Sequence, residues 1–182
     1  MVDIMKKLNL NKVNRTNEIP QHSVISKNIN DIHYCDSYSV LTQTNENLDK
    51  ITTEVFQTPQ WAELLMTIRN IIAKLVGLDT GGQKKDTNIS DFYPIGSRAV
   101  YFTVIDRNEN EIIMAENDKH LNFKISVLIN REGNNVTIYL TTLIKFNNLL
   151  GKLYFLPVKP FHSLIVKSLL KRASIQLDNP SG

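Results

Sequence analysis

Between residues 98 and 146, stretches in which apolar and polar side chains largely alternate are separated by clusters of Asn, Asp, Glu and Gly. A period of two is the signature of a strand with one buried face. The stretch therefore reads as four strands, over 98–106, 111–116, 119–131 and 136–146, joined by three tight turns. The third strand is the cleanest. Leu121, Phe123, Ile125, Val127 and Ile129 share one face. His120, Asn122, Lys124, Ser126 and Asn130 share the other, which is expected to be solvated, with Leu128 the one exception. The simplest hairpin registers join Tyr101, Thr103, Ile105, Ile112, Met114, Phe123, Ile125 and Thr142 into one inward face. A slip of one residue would turn half of that set to water, so the register is tightly specified.

A sheet with one apolar face needs a cover, and the end of the chain offers one. Residues 157–177 read as a long helix, with Pro157 and Pro160 closing off what precedes it. Ile165, Val166, Leu169, Leu170 and Ala173 form a broad apolar arc, and Ser163, Lys167 and Lys171 lie opposite. An arc this wide is expected to be gripped by the sheet. Residues 147–155 read as a short helix or turn leading into it. Upstream, 32–43 is aromatic and β-branched and reads as a first strand. Asn45 or Asn47 then caps a short helix carrying Leu48, Ile51 and Val55. A second helix starts at Thr58-Pro59 and ends at Gly77, with Trp61, Leu64, Leu65, Ile68, Ile72 and Leu75 on one side and Arg69 on its flank. Residues 77–96 are loop-like, with room for a short strand at 89–93. Residues 1–31, rich in Asn and Lys, read as a mobile arm or an edge segment, residues 32–177 as the domain proper, and 178–182 as a disordered tail.

Composition narrows the function classes. The chain has 182 residues, 42% of them hydrophobic and 21% charged, which suits a single soluble domain. The net charge of +3 forms no phosphate-tracking stripe, so no nucleic-acid partner is expected. Cys35 is the only cysteine, which excludes an internal disulfide and a cysteine metal cluster and fits a reducing cytoplasm. The first residues lack the apolar core of a signal peptide, and no apolar run is long enough to span a bilayer. The four histidines show no metal spacing. Gly81-Gly82 lacks the Lys-Ser/Thr of a phosphate loop, and Ser97 sits in IGSRA rather than in a hydrolase elbow. No cofactor is expected.

Several phrases carry a resemblance: DSYSV at 36–40, TPQWAELLMTIRN at 58–70, GLDTGG at 77–82, HLNFKISV at 120–127 and TTLIKFNNLLGKLYFLPVKPFHSLIV at 141–166. The chain resembles the bacterial domain-of-unknown-function family two-eight-six-seven, within the superfamily of START and polyketide-cyclase-like helix-grip proteins. The resemblance covers about residues 32–175, and LGKLYFLPVKPFH is its most specific phrase. It implies an α+β helix-grip fold, a curved antiparallel sheet around a long C-terminal helix. It brings no established activity, and so no catalytic residue.

His162 is the sharpest candidate for chemistry, because it projects into the middle of the helix's apolar arc. In a first helical turn it would sit near the positive end of the helix dipole, which favours a neutral ring able to donate from one nitrogen and accept at the other. Such a ring could orient a ligand or act as acid or base. The plainer reading is a buried histidine satisfied by a backbone carbonyl. Trp61, Tyr101, Met114, Phe123, Thr142, Phe161, Ile165 and Leu169 would line a ligand cavity between sheet and helix, or simply fill the core. Arg69 is a possible polar anchor, or a tie from helix to sheet. His120 and Asp118 pair on paper, but strand alternation puts His120 on the outer face. The expectation is a noncatalytic binding module for a small, largely apolar or amphipathic molecule. The alternatives are a small cyclase, isomerase or hydrolase using His162, and an interaction domain with a filled core. Oligomeric state is open.

Overall fold

The alternation folds as an antiparallel meander. The computed structural model describes residues 10–16, 18–27, 31–57, 91–117 and 119–179. Among these residues seven strands form one sheet: β1 (Val13–Thr16), β2 (Tyr34–Gln43), β3 (Arg98–Ala99), β4 (Phe102–Arg107), β5 (Glu111–Asn117), β6 (Leu121–Glu132) and β7 (Asn135–Phe146). Their order is β1-β2-β7-β6-β5-β4-β3, with every ladder antiparallel. Among the described residues two α-helices accompany the sheet, α1 (Leu48–Phe56) and α2 (Leu149–Asp178). With the long C-terminal helix laid on the sheet's inner face, the architecture is α+β and helix-grip.

Register follows the turns. Glu132 pairs with Asn135, so Gly133 and Asn134 form a two-residue turn. Gly133 takes φ 62, the positive value such a turn needs at its first central residue, where glycine is unhindered. From that turn Val136, Ile138, Leu140 and Thr142 of β7 meet Arg131, Ile129, Val127 and Ile125 of β6. Ile112 and Met114 of β5 complete the same face. All of these apart from Arg131 and Thr142 belong to the main core.

On β4 the inward residues differ from the simplest register. Val104, not Thr103, stands opposite Met114, and the ladder slips between Val104 and Asp106. This bulge leaves Ile105 41% exposed, while Phe102 and Val104 face the core. A bulge adds one unpaired residue, which a period-two reading cannot see. The strand expected over 98–106 also splits, at a tight turn where Val100 takes φ 57. Residues 91–93, within the expected strand at 89–93, are not in a strand.

The outer face is not wholly solvated. Ser126 and Glu111 are fully buried there, and Ile113 and Leu143 pack with Ile25, Ile19, Val24, Ile32 and Cys35 in a second, smaller core. The residues that cover it come from the segment expected to be a mobile arm. Val13–Thr16 pairs with Ser37–Val40 as an edge strand. A single 3-10 turn, Val24–Ser26, then lies over β5 and β6. Glu111 accepts from Ser23 Oγ (2.5 Å), from the Val24 N–H (2.6 Å) and from Ser126 Oγ. His120 is buried too, its ring against the Asn148 side chain.

Asn47 caps α1, accepting from the Lys50 N–H at 2.7 Å. Asp49, buried in α1, forms a two-pronged ion pair with Arg107 of β4 (2.8 and 3.0 Å) and accepts from the Tyr93 N–H. α2 is longer than its prolines suggest. It begins at Leu149, capped by Asn148, and runs 30 residues through Pro157 and Pro160. A proline deprives the carbonyl four residues earlier of its donor. Here those carbonyls belong to Leu153 and Leu156, both exposed residues, where water can take the donor's place. Asp178, placed in the expected tail, is the last helical residue and accepts from the Gln43 N–H (3.0 Å) and from Asn11 Nδ2 (3.2 Å). The expected helix at 58–77 lies outside the described residues.

Candidate functional site

α2 lies chiefly along β2 rather than over the centre of the sheet. Strand parity turns Tyr34, Asp36, Tyr38, Val40 and Thr42 inward, and Tyr38 and Val40 enter the core with Val166 and Leu170. The polar members of that row each find a partner. Tyr38 OH donates to Ser163 Oγ at 2.8 Å, and Thr42 Oγ1 to the Ser174 carbonyl at 2.8 Å.

Asp36 is the unusual member, a fully buried carboxylate on the inner face. Its Oδ2 accepts from Tyr34 OH at 2.7 Å, and its Oδ1 lies 3.4 Å from His162 Nε2. Burial alone would raise the Asp36 carboxyl. The His162 hydrogen bond and charge, the Tyr34 hydrogen bond and the Arg15 charge together outweigh it and hold the group below the usual carboxylate range. The converse holds for the phenols. Burial first, then the hydrogen bond and charge of Asp36, push Tyr34 well above its ordinary value. Tyr38 is also raised, chiefly by burial. The site thus holds an ionised carboxylate between a neutral phenol and an imidazole.

Aromatic and cationic groups border it. The Tyr34 ring meets Phe155 edge-on at 4.8 Å and His162 at 6.3 Å. Lys159 Nζ stands 5.1 Å above Tyr34, and the Arg15 guanidinium 5.7 Å above Tyr38. The His162 side chain keeps 20% of its surface exposed. With Nε2 turned to a carboxylate, that nitrogen carries the proton, and Nδ1 is left to accept, or to donate if the ring is charged. His162 also sits thirteen residues inside α2 (162 − 149). The helix-dipole argument for a neutral ring, which required the first turn, therefore falls away.

The expected lining residues separate into two groups. Thr142 is buried beside Asp36, its register neighbour on β7, and joins His162. On α2, Leu169 is buried, Ile165 half-buried and Phe161 exposed. Tyr101 and Met114 are buried in the core under α1, and Phe123 is half-buried there, its ring 5.3 Å from that of Phe102, which in turn meets Phe56. Trp61 and Arg69 lie outside the described residues, as does Asp118, the paper partner of His120. Tyr34, Asp36, Tyr38 and Ser163 are absent from the sequence-based set. The available signal was a lone carboxylate at the same parity as two tyrosines in YCDSY.

Among the described residues no three His, Cys, Asp or Glu side chains converge to hold a metal ion. None of the described helices is long and apolar enough to cross a membrane.

No curated protein matches the chain. Among solved structures, the crystal structure of CalU16 from Micromonospora echinospora aligns over 92% of this chain and 96% of its own, at 9% identity and a TM-score of 0.32. The fold assignment rests on the strand order and helix placement above. Residues 13–26, the edge strand and the turn over the outer face, precede the span of the family match. The chain belongs to the DUF2867 family, proteins of unknown function, whose family model matches residues 28–169.

Proposed function

We propose that the protein is a noncatalytic binding module for a small, largely apolar molecule, held between the inner face of the sheet and α2 and anchored through His162. The carrying observation is the buried Asp36 carboxylate, which fixes one nitrogen of a histidine whose ring stays partly exposed. A buried charge is costly unless hydrogen-bonded, and orienting a neighbouring ring is a recurrent use of one. Apolar groups surround the anchor: Phe155 and Ile165 border it, and Phe102 and Phe123 stay half-buried on the same face of the sheet. Trp61, Tyr101, Met114, Thr142, Phe161 and Leu169 complete the proposed lining, with Arg69 as a further polar anchor.

The same pair favours a second reading. An imidazole oriented by a carboxylate is also a general acid or base, so an isomerase, cyclase or hydrolase using His162 is the alternative. Native mass spectrometry of protein purified from its own host tests the first reading, which expects a retained small molecule. Uptake of a fluorescent probe with a hydrocarbon tail then assigns the anchor. His162→Ala should cut uptake several-fold while the melting temperature of the empty protein moves little. A fall in stability with uptake unchanged would make His162 structural and end both readings of the site.

A further inference from the structure

We infer that the N-terminal half of α2 docks on an anionic lipid surface. This inference is independent of any ligand at His162. The outward face of that half-helix is apolar. Leu149, Leu156 and Leu164 are 68%, 61% and 58% exposed, and Leu150 and Leu153 are also exposed. At about 100° per residue, Leu149, Leu153, Leu156, Pro160 and Leu164 fall within one stripe. Single exposed apolar residues are ordinary, whereas a contiguous stripe marks an interaction site. The stripe is not part of the core, because the helix buries its other side through Tyr154, Phe155, Val166 and Leu170.

Charge identifies the partner. Between Leu149 and Leu177 there is no acidic residue, but there are four lysines and Arg172. Lys152 flanks the stripe and is exposed. Lys167 and Lys171, also exposed, continue the stripe's own line beyond Leu164, so the outward face changes from leucine to lysine along the helix. That sequence fits a partner that is apolar in depth and anionic at its rim, which describes a bilayer carrying acidic headgroups. Lysine stems can lie along the apolar layer while their ammonium groups reach the phosphates. None of the described helices can cross the membrane, so the contact is with one leaflet.

Co-sedimentation of the full chain with vesicles tests this. The protein should pellet with mixed phosphatidylcholine and phosphatidylglycerol vesicles, far less with phosphatidylcholine alone, and less as salt is raised. Leu153→Glu with Leu156→Glu should abolish pelleting while leaving the melting temperature unchanged. Lys152→Gln with Lys167→Gln should weaken it roughly 30-fold, at about 1 kcal/mol per lysine. No pelleting at low salt, or equal pelleting by the glutamate variant, would overturn the inference. So would a dimer in light scattering that the glutamate variant converts to monomer, because a second copy would then own the stripe. A melting temperature lowered by the glutamates without vesicles would overturn it as well, by placing the leucines within the chain's own packing.

Discussion

Asp36 ties stability to the candidate site at the scale of one residue. It is fully buried, and its two oxygens take hydrogen bonds from Tyr34 and His162. Its folded-state value lies below the ordinary 3.8, so folding favours the ionised form. The stability this contributes is complete above the unfolded value and is lost as pH falls from there through the depressed folded value. Wild-type protein should therefore lose stability below about pH 4 faster than Asp36→Asn does, because the variant has nothing to protonate at that position. At neutral pH the variant should be about 1.5–3 kcal/mol less stable, the worth of a hydrogen bond to a charged group. Urea unfolding at pH 3, 5 and 7 measures both effects. Parallel pH profiles would remove Asp36 as the source.

At the scale of elements, β2 and α2 are joined by four polar rungs: Asp36 with His162, Tyr38 with Ser163, Thr42 with Ser174, and Gln43 with Asp178. The two elements run in the same direction and stay in step. From the first rung to the last, β2 advances 7 residues (43 − 36), or ~23 Å at ~3.3 Å each, and α2 advances 16 (178 − 162), or ~24 Å at ~1.5 Å each. The far end of α2 is seated differently. Gly151 lies against the backbone before β6, and a Cβ there would collide with the His120 carbonyl. Replacing a helical glycine by alanine ordinarily stabilises by about 1 kcal/mol. Here the sign should reverse, with Gly151→Ala costing about 1–3 kcal/mol in thermal or urea unfolding. A variant as stable as the wild type would show that the helix start is not held there. Nothing in GKLYF announces this contact, because the sequence does not record which backbone the glycine will approach. The prolines misplaced the helix start for the same reason: the solvent exposure that makes them tolerable is a tertiary fact. The hairpins were legible because Leu121 to Ile129 alternate under a strong constraint and Gly133 fixes the turn. The Asp36–His162 pair was only half legible. The helix pattern exposed His162, but its partner lies 126 residues away, and no local periodicity records which strand a helix will choose.

At the scale of the whole molecule the sheet carries apolar cover on both faces, α1 and α2 within and Ile19, Val24, Ile25 and Ile32 against Ile113 and Leu143 without. The outer cover comes from the segment that reads as a mobile arm or an edge segment. The composition of residues 1–31 is poor in aromatics, but Ile25 is 1% exposed and completes an apolar patch with Ile113 and Leu143. The polar side of the contact is Glu111, which holds the strap through Ser23 Oγ and the Val24 N–H while Ser126 satisfies it from β6. Deleting residues 1–27 would expose that patch, leave β2 an open edge and strip Glu111 of two donors. Burying an isoleucine is worth about 1.5–3 kcal/mol, and hydrogen bonds to a charge about 1.5–3 each before water replaces them. With water compensating part of the second term, the truncated protein should be about 3–6 kcal/mol less stable by urea unfolding. Ile25→Ala in the full chain should account for about 2–4 kcal/mol of that, the usual range for emptying a packed isoleucine site. A truncated protein with an unchanged unfolding midpoint would show that the outer face needs no cover.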